Sequence, residues 1–169
     1  MRVERLAPIH AGAYRAFMLR AYRESPDAFT STVQEREALP LAWWQARVSD
    51  APDAESCVLG AFGGDALVGV VGLRLSARER TRHKATVFGM VVAPSHRGRG
   101  VGRMLVEAAA EHARGIPEVN VLQLTVREPN ASARRLYEAC GFEVFGVEPL
   151  AVRTPSGFAA TVHMWRAVR

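Results

Sequence analysis

A single lysine, Lys84, stands among the 22 basic residues of this 169-residue chain, and only two cysteines occur. The lone lysine excludes the G-x-x-x-x-G-K-[ST] phosphate loop, because Lys84 lies upstream of the glycine-rich stretch. Cys57 and Cys140 lack metal-ligand spacing and make no disulfide framework. The five histidines (His10, His83, His96, His112 and His163) are scattered without a zinc pattern, so no metal is expected. No apolar run approaches the ~20 residues of a membrane span, and the first twelve residues, "MRVERLAPIHAG", lack a signal-peptide core. A cytoplasmic protein without a membrane partner is the expectation. Repeats, low-complexity tracts and linkers are missing too, so residues 1–169 read as one domain.

What is present is ordinary globular composition, 49% hydrophobic and 23% charged, with an uneven charge. The net charge is +5, yet Arg74, Arg78, Arg80, Arg82, Lys84, Arg97, Arg99 and Arg103 lie in one stretch whose only acid is Glu79. Such a stripe suits a phosphorylated small ligand or nucleic acid. For Arg74 to Lys84 a solvated arginine-rich loop is the alternative.

The pattern along the chain predicts a mixed-sheet α/β fold in the order βααβββαβαββ. "RVERLA" reads as a strand, Ala11 to Ser25 as a helix stopped by Pro26, and "ALPLAWWQARVSDA" as a second helix with Pro40 in its first turn. Strands Ser56 to Phe62 and Ala66 to Leu75 meet at a "GGD" hairpin. "KATVFGMVVAP" is another strand, and Gly89 inside it marks a bulge. A helix from about Gly98 to Ala113, the strand "VLQLTV" and a helix capped by Asn130 follow. "FEVFGV" and "AATVHMWRAV" close the chain as antiparallel strands across a loop from Glu148 to Gly157. About seven strands result, with one parallel crossover.

The stretch "VVAPSHRGRGVGRMLVEAAAEHA" sets Gly98, Gly100 and Gly102 among Arg97, Arg99 and Arg103 at the start of an apolar helix. A helix N-terminus exposes unpaired N–H groups and a positive partial charge, and glycine lets an anion reach them. Alternate glycines after a strand therefore point to a pyrophosphate flanked by arginines. The dinucleotide fingerprint G-x-G-x-x-G does not fit, since the third glycine falls too early. An RNA-binding role draws only on the basic segment and lacks stacking aromatics, so no nucleic-acid partner is expected.

Arg97-Gly98-Arg99-Gly100-Val101-Gly102 resembles the [QR]-x-x-G-x-[GA] signature of the GNAT superfamily of acetyl-CoA-dependent N-acetyltransferases. Met90-Val91-Val92-Ala93-Pro94 resembles that family's strand–proline lead-in. Asn130 to Phe142, "NASARRLYEACGF", resembles its motif N-x-x-A-x-x-L-Y-x-x-x-G-F. With the element order, the resemblance covers nearly the whole chain.

The resemblance implies a GNAT fold with fourth and fifth strands splayed, and acetyl-CoA as co-substrate. Met90, Val91 and Val92 would pair with the pantetheine arm like an added strand. Amides from about Gly98 through Arg99, Gly100, Val101 and Gly102 to Arg103 would hold the pyrophosphate, with Arg97 beside them. Asn130 would bond the pantetheine arm, with Ala133 also among the cofactor-binding residues; a plain helix cap is the other reading of Asn130. Tyr137 is implied as the general acid that donates to the leaving thiolate, a core tyrosine being the alternative. A main-chain N–H near Val92 would serve the oxyanion.

Thr86 stands where many relatives carry a glutamate base. A water chain, His83, Glu35 or Glu37 remain as routes for the amine proton. Glu35, Glu37 and Glu148 would suit a cationic small-molecule or peptide amine. Another acyl-CoA, or a non-catalytic CoA-sensing module, remains open, and a monomer or homodimer is expected.

Overall fold

The computed structural model describes residues 1–169. Seven strands share one sheet flanked by five helices. In chain order these are β1 (Arg2–Arg5), α1 (Ala11–Glu24), α2 (Val33–Glu37), α3 (Leu41–Arg47), β2 (Ser56–Gly63), β3 (Ala66–Leu75) and β4 (Lys84–Val92). Then come α4 (Val101–Arg114), β5 (Val121–Arg127), α5 (Ala131–Ala139), β6 (Glu143–Thr154) and β7 (Gly157–Ala167). The strands lie in the order β1-β2-β3-β4-β5-β7-β6, and β4 with β5 is the parallel pair that α4 connects. The expected mixed α/β sheet is present.

Two apolar layers hold the sheet. On one face Tyr14, Phe17 and Met18 of α1 and Trp44 of α3 pack on Val58 and Val70. On the other, Leu105, Val106 and Ala109 of α4 pack on Val71, Leu73, Val87, Leu122 and Leu124. Buried side chains of this size contribute about 1.5–3 kcal/mol each relative to exposure, which fixes α4 firmly against the strands. The helices α1 and α3 lie over β2 and β3. The same face of β5, β7 and β6 carries no helix, and Thr125 and Trp165 are exposed there.

Four details depart from the sequence reading. A short extra helix, α2, forms because Thr32 and Glu35 close a capping box over Val33–Glu37. Pro40 is the N-cap of α3 rather than a first-turn residue. The glycine-rich helix begins at Val101 rather than Gly98, since Gly98 and Gly100 have φ of +73° and +80°. The segment after Glu148 is strand, not loop: a bulge between Glu148 and Val152 absorbs Pro149 and Leu150, and pairing resumes at Val152–Ala159. An edge strand tolerates that proline because its outer N–H has no partner to lose.

Candidate functional site

Strands β4 and β5 pair only at Lys84–Val121, Ala85–Leu122 and Thr86–Gln123, and then separate. The cause is the bulge on β4. Val70 faces Val91 and Gly72 faces Phe88, so Val71 alone opposes both Gly89 and Met90. Gly89 takes φ +58°, a conformation that side chains resist. The bulge turns the end of β4 away from β5 and opens a cleft of about 750 Å³. Met90, Val91 and Val92 form one wall, Asn130, Ala133 and Leu136 the other, and Phe29 reaches in from beyond α1. Phe29 packs with the α1 layer and Leu136 with the α4 layer, so the cleft passes through the plane of the sheet.

At the mouth of the cleft lies the glycine–arginine turn. The amides of Gly98, Arg99, Gly100, Val101, Gly102 and Arg103 donate to no protein group, and the first helical bond is Met104 N to Gly100 O at 3.0 Å. Left-handed Gly98 and Gly100 make this curl of amides possible, and both face open space. An unpaired amide row at a helix N-terminus fits an anion such as a diphosphate. Gly102 has a different reason for being glycine. A Cβ there would come within 2.9 Å of Leu136 and 3.1 Å of Met90, so it allows α4 to sit close to both cleft walls.

The arginines divide. Arg97 donates from Nε to the Val92 carbonyl at 3.0 Å, bracing the end of β4 while lining the cleft. Arg103 also lines it, whereas Arg99 does not. Upstream, Arg74 lies over the Phe88 ring at 5.1 Å, away from the turn.

On α5, Asn130 Oδ1 accepts from Ala133 N at 3.2 Å and from Ser132 Oγ at 3.1 Å, so Asn130 caps the helix and lines the cleft at once. Tyr137 is one turn beyond Ala133 and buried, its ring edge-on to Phe142 at 5.8 Å. Burial, reinforced by the neighbouring Cys140, pushes its phenol up to about 12. Tyr137 does not line the cleft, although its neighbour Leu136 does.

The three acids expected at the acceptor lie outside the cleft and have partners of their own. Glu35 accepts from Thr32 N at 2.8 Å, and Glu37 pairs with Arg23 at 2.5 Å. Glu148 reaches His163 Nε2 at 3.2 Å. His163 is one of five histidines scattered along the sequence, and Asp27 stands in no motif. The carbonyl of Asp27 accepts from Arg127 Nη1 at 2.6 Å, which ties the turn after α1 to the end of β5. Both pairings depend on strand register and long-range contact, which local patterns do not carry. Cys57 and Cys140 are buried and unbonded, and no helix is long and apolar enough to cross a membrane.

Residues 18–142 match the family model described as Acetyltransferase (GNAT) family. The L-amino acid N-acetyltransferase AaaT of Escherichia coli is 30% identical over 128 residues, 76% of this chain and 76% of that protein. A spermidine N(1)-acetyltransferase of Vibrio cholerae is 32% identical over 78 residues, 46% of this chain and 45% of that one. The chain spans less than two thirds of the first curated relatives it matches: 29%, 45% and 63% of their lengths. Among solved structures, a GNAT-family acetyltransferase from Streptococcus pneumoniae superposes with a TM-score of 0.90 at 24% identity, over 99% of both chains. The yncA protein of Salmonella typhimurium, solved with its cofactor acetyl-CoA, gives 0.81 at 20% identity, over 100% of this chain and 94% of that one.

Proposed function

The chain belongs to the acetyltransferase (GNAT) family, and we propose that it moves an acetyl group from acetyl-CoA directly to a primary amine. The observation that carries this reading is the row of unpaired amides from Gly98 to Arg103 at the mouth of a cleft that pierces the sheet. The amides, with Arg103, would hold the diphosphate. Met90, Val91 and Val92 would offer backbone groups to the pantetheine arm, and Asn130 and Ala133 would face it from α5. When bound, acetyl-CoA supplies an activated thioester.

The chain's own contribution is to orient, to exclude water and to manage protons. Leu136, Met90 and Phe29 give the cleft dry walls. Tyr137, buried next to the cleft-lining Leu136, holds its proton throughout the physiological range and would donate a hydrogen bond to the departing sulfur where the cleft wall opens to it. At about 12 its phenol is a weaker acid than a free tyrosine, so it stabilises the developing thiolate chiefly by hydrogen bonding while the bond breaks.

The acceptor is an amine, and the relatives frame the panel to screen. L-amino acids, spermidine and short peptides with free N-termini are incubated with acetyl-CoA, and thiol release is followed. Release with at least one amine is expected. Tight CoA binding with no release from any of them would instead favour a CoA-sensing module. Faster release from propionyl-CoA would favour another acyl donor.

A further inference from the structure

We propose that His163, oriented by Glu148, is the base that takes the proton from the acceptor amine; this rests on the acetyl-transfer reading above. An amine at neutral pH is an ammonium ion without a lone pair to attack with, so direct transfer needs a proton acceptor. β4 offers none. Lys84 to Val92 contains no acid, and Thr86 fills the last ladder position before the strands part. Glu35 and Glu37 lie on α2, where Glu35 closes the helix's own capping box with Thr32 and Glu37 is held by the guanidinium of Arg23, so neither carboxylate is free to take a proton. His83 sits at the closed end of the parallel ladder, where its carbonyl accepts from Asn120 and Val121.

The uncovered face of β5, β7 and β6 supplies what β4 lacks. Gln123 is the last β5 residue to pair with β4, so Thr125 borders the opening, and His163 is directly opposite Thr125 on β7. Side chains so paired lie about 4.5–5.5 Å apart. Two residues along, Arg127 is bonded to Asp27, in the turn whose neighbours Ala28 and Phe29 line the cleft. His163 itself lines no part of the cleft; it stands one strand beyond the β5 edge of the opening, on the face from which an amine would approach.

Its surroundings suit the role. Nε2 lies 3.2 Å from Glu148 Oε2, and the ring is edge-on to Phe145 at 5.8 Å. With Nε2–H donating to the carboxylate, the lone pair is on Nδ1, which has no protein partner and is not sealed from solvent. Gly146, opposite His163 on β6, puts no side chain over the ring. The other charged groups on this face are Arg127 with its Asp27, and Glu143 beside Trp165; none bonds to the imidazole.

The protons balance. The acceptor ammonium gives one proton to Nδ1, forming an imidazolium beside Glu148 and freeing the nitrogen lone pair. As the C–N bond forms and the C–S bond breaks, the sulfur departs as a thiolate that accepts a hydrogen bond from Tyr137, and it takes up the proton that the new amide nitrogen sheds. His163 then returns its proton to solvent. Glu148 is a positioning residue: it fixes the tautomer and stabilises the imidazolium.

The test compares wild type, His163→Ala and Glu148→Gln across the pH range with the best acceptor of the amine panel. His163→Ala should lose about 10²-fold or more in kcat/KM at neutral pH. The loss should shrink at alkaline pH, where the amine arrives neutral, and added imidazole should restore part of it. Glu148→Gln should lose less with the same pH trend. In cofactor-free wild type, the His163 ring resonances should move when that acceptor is added, and those of His10 should stay. A folded His163→Ala enzyme with unchanged kcat/KM and pH profile, or His163 resonances indifferent to the acceptor, overturns this assignment and leaves acetyl transfer standing. A wild type that releases no thiol with any amine takes both down.

Discussion

Arg127 and Asp27, a hundred positions apart, are joined by a 2.6 Å hydrogen bond to a backbone carbonyl rather than chiefly by their charges. The carboxylate is 3.6 Å away and 89% exposed, whereas the arginine side chain is only 9% exposed. An exposed ion pair contributes ~0–1 kcal/mol, but a charge-assisted bond to a carbonyl contributes about 1.5–3 kcal/mol. Arg127→Ala should therefore cost roughly 1–3 kcal/mol. Asp27→Asn, which keeps the carbonyl, should cost under about 1 kcal/mol. Urea denaturation of the two variants checks the order, and equal losses would refute it.

At Gly100, backbone conformation and ligand space separate experimentally. Its φ of +80° makes Gly100→Ala cost about 1–2 kcal/mol. Gly100→Asn, a residue that tolerates this region, should keep most of the stability while placing a side chain in the open mouth of the cleft. Both variants should bind CoA at least tenfold more weakly by calorimetry. An Asn variant with native affinity would remove the diphosphate from this turn.

Tyr137→Phe probes the phenol twice. Turnover should fall about 10²-fold with CoA affinity little changed. Because the folded protein keeps this proton up to about 12, against 10.0 ordinarily, the stability it contributes is whole below pH 10 and falls as pH rises between those values. The variant should lose that part of the alkaline slope; Tyr14, also raised by burial, leaves its own. An unaltered alkaline slope would show that Tyr137 is not held neutral.

Leu150 has φ +54° and is 70% exposed on the β6 bulge. The backbone strain outweighs what so exposed a side chain gains by packing. Leu150→Gly should raise stability by roughly 0.5–1 kcal/mol, read as an increased Tm. A lower Tm would mean that the side chain has a packing role.

The parts of the fold visible in sequence were those written in local steric terms. Gly89 announced a bulge because a glycine within an apolar strand has few other uses, and Asn130 announced a cap. The run from Gly98 to Gly102 announced an amide-rich turn, yet its third glycine answers to packing against Leu136 and Met90 rather than to backbone shape. Thr32 and Glu35 carried a readable capping box, hidden by the shortness of the helix it begins. The strand beyond Glu148 was masked by Pro149, whose effect an edge position cancels. The neighbourhood of His163 was invisible, since it exists only once β7 is registered between β5 and β6.

Three ladder positions, Lys84–Thr86 against Val121–Gln123, with the His83 carbonyl at their closed end, join β1–β4 to β5, β7 and β6 within the sheet. The sheet is thus two half-sheets joined along one short seam, with α4 packed across both. Whatever lodges beyond that seam becomes the missing splice between them. Loading the protein should accordingly slow amide exchange in β6 and β7, strands that line no part of the cleft.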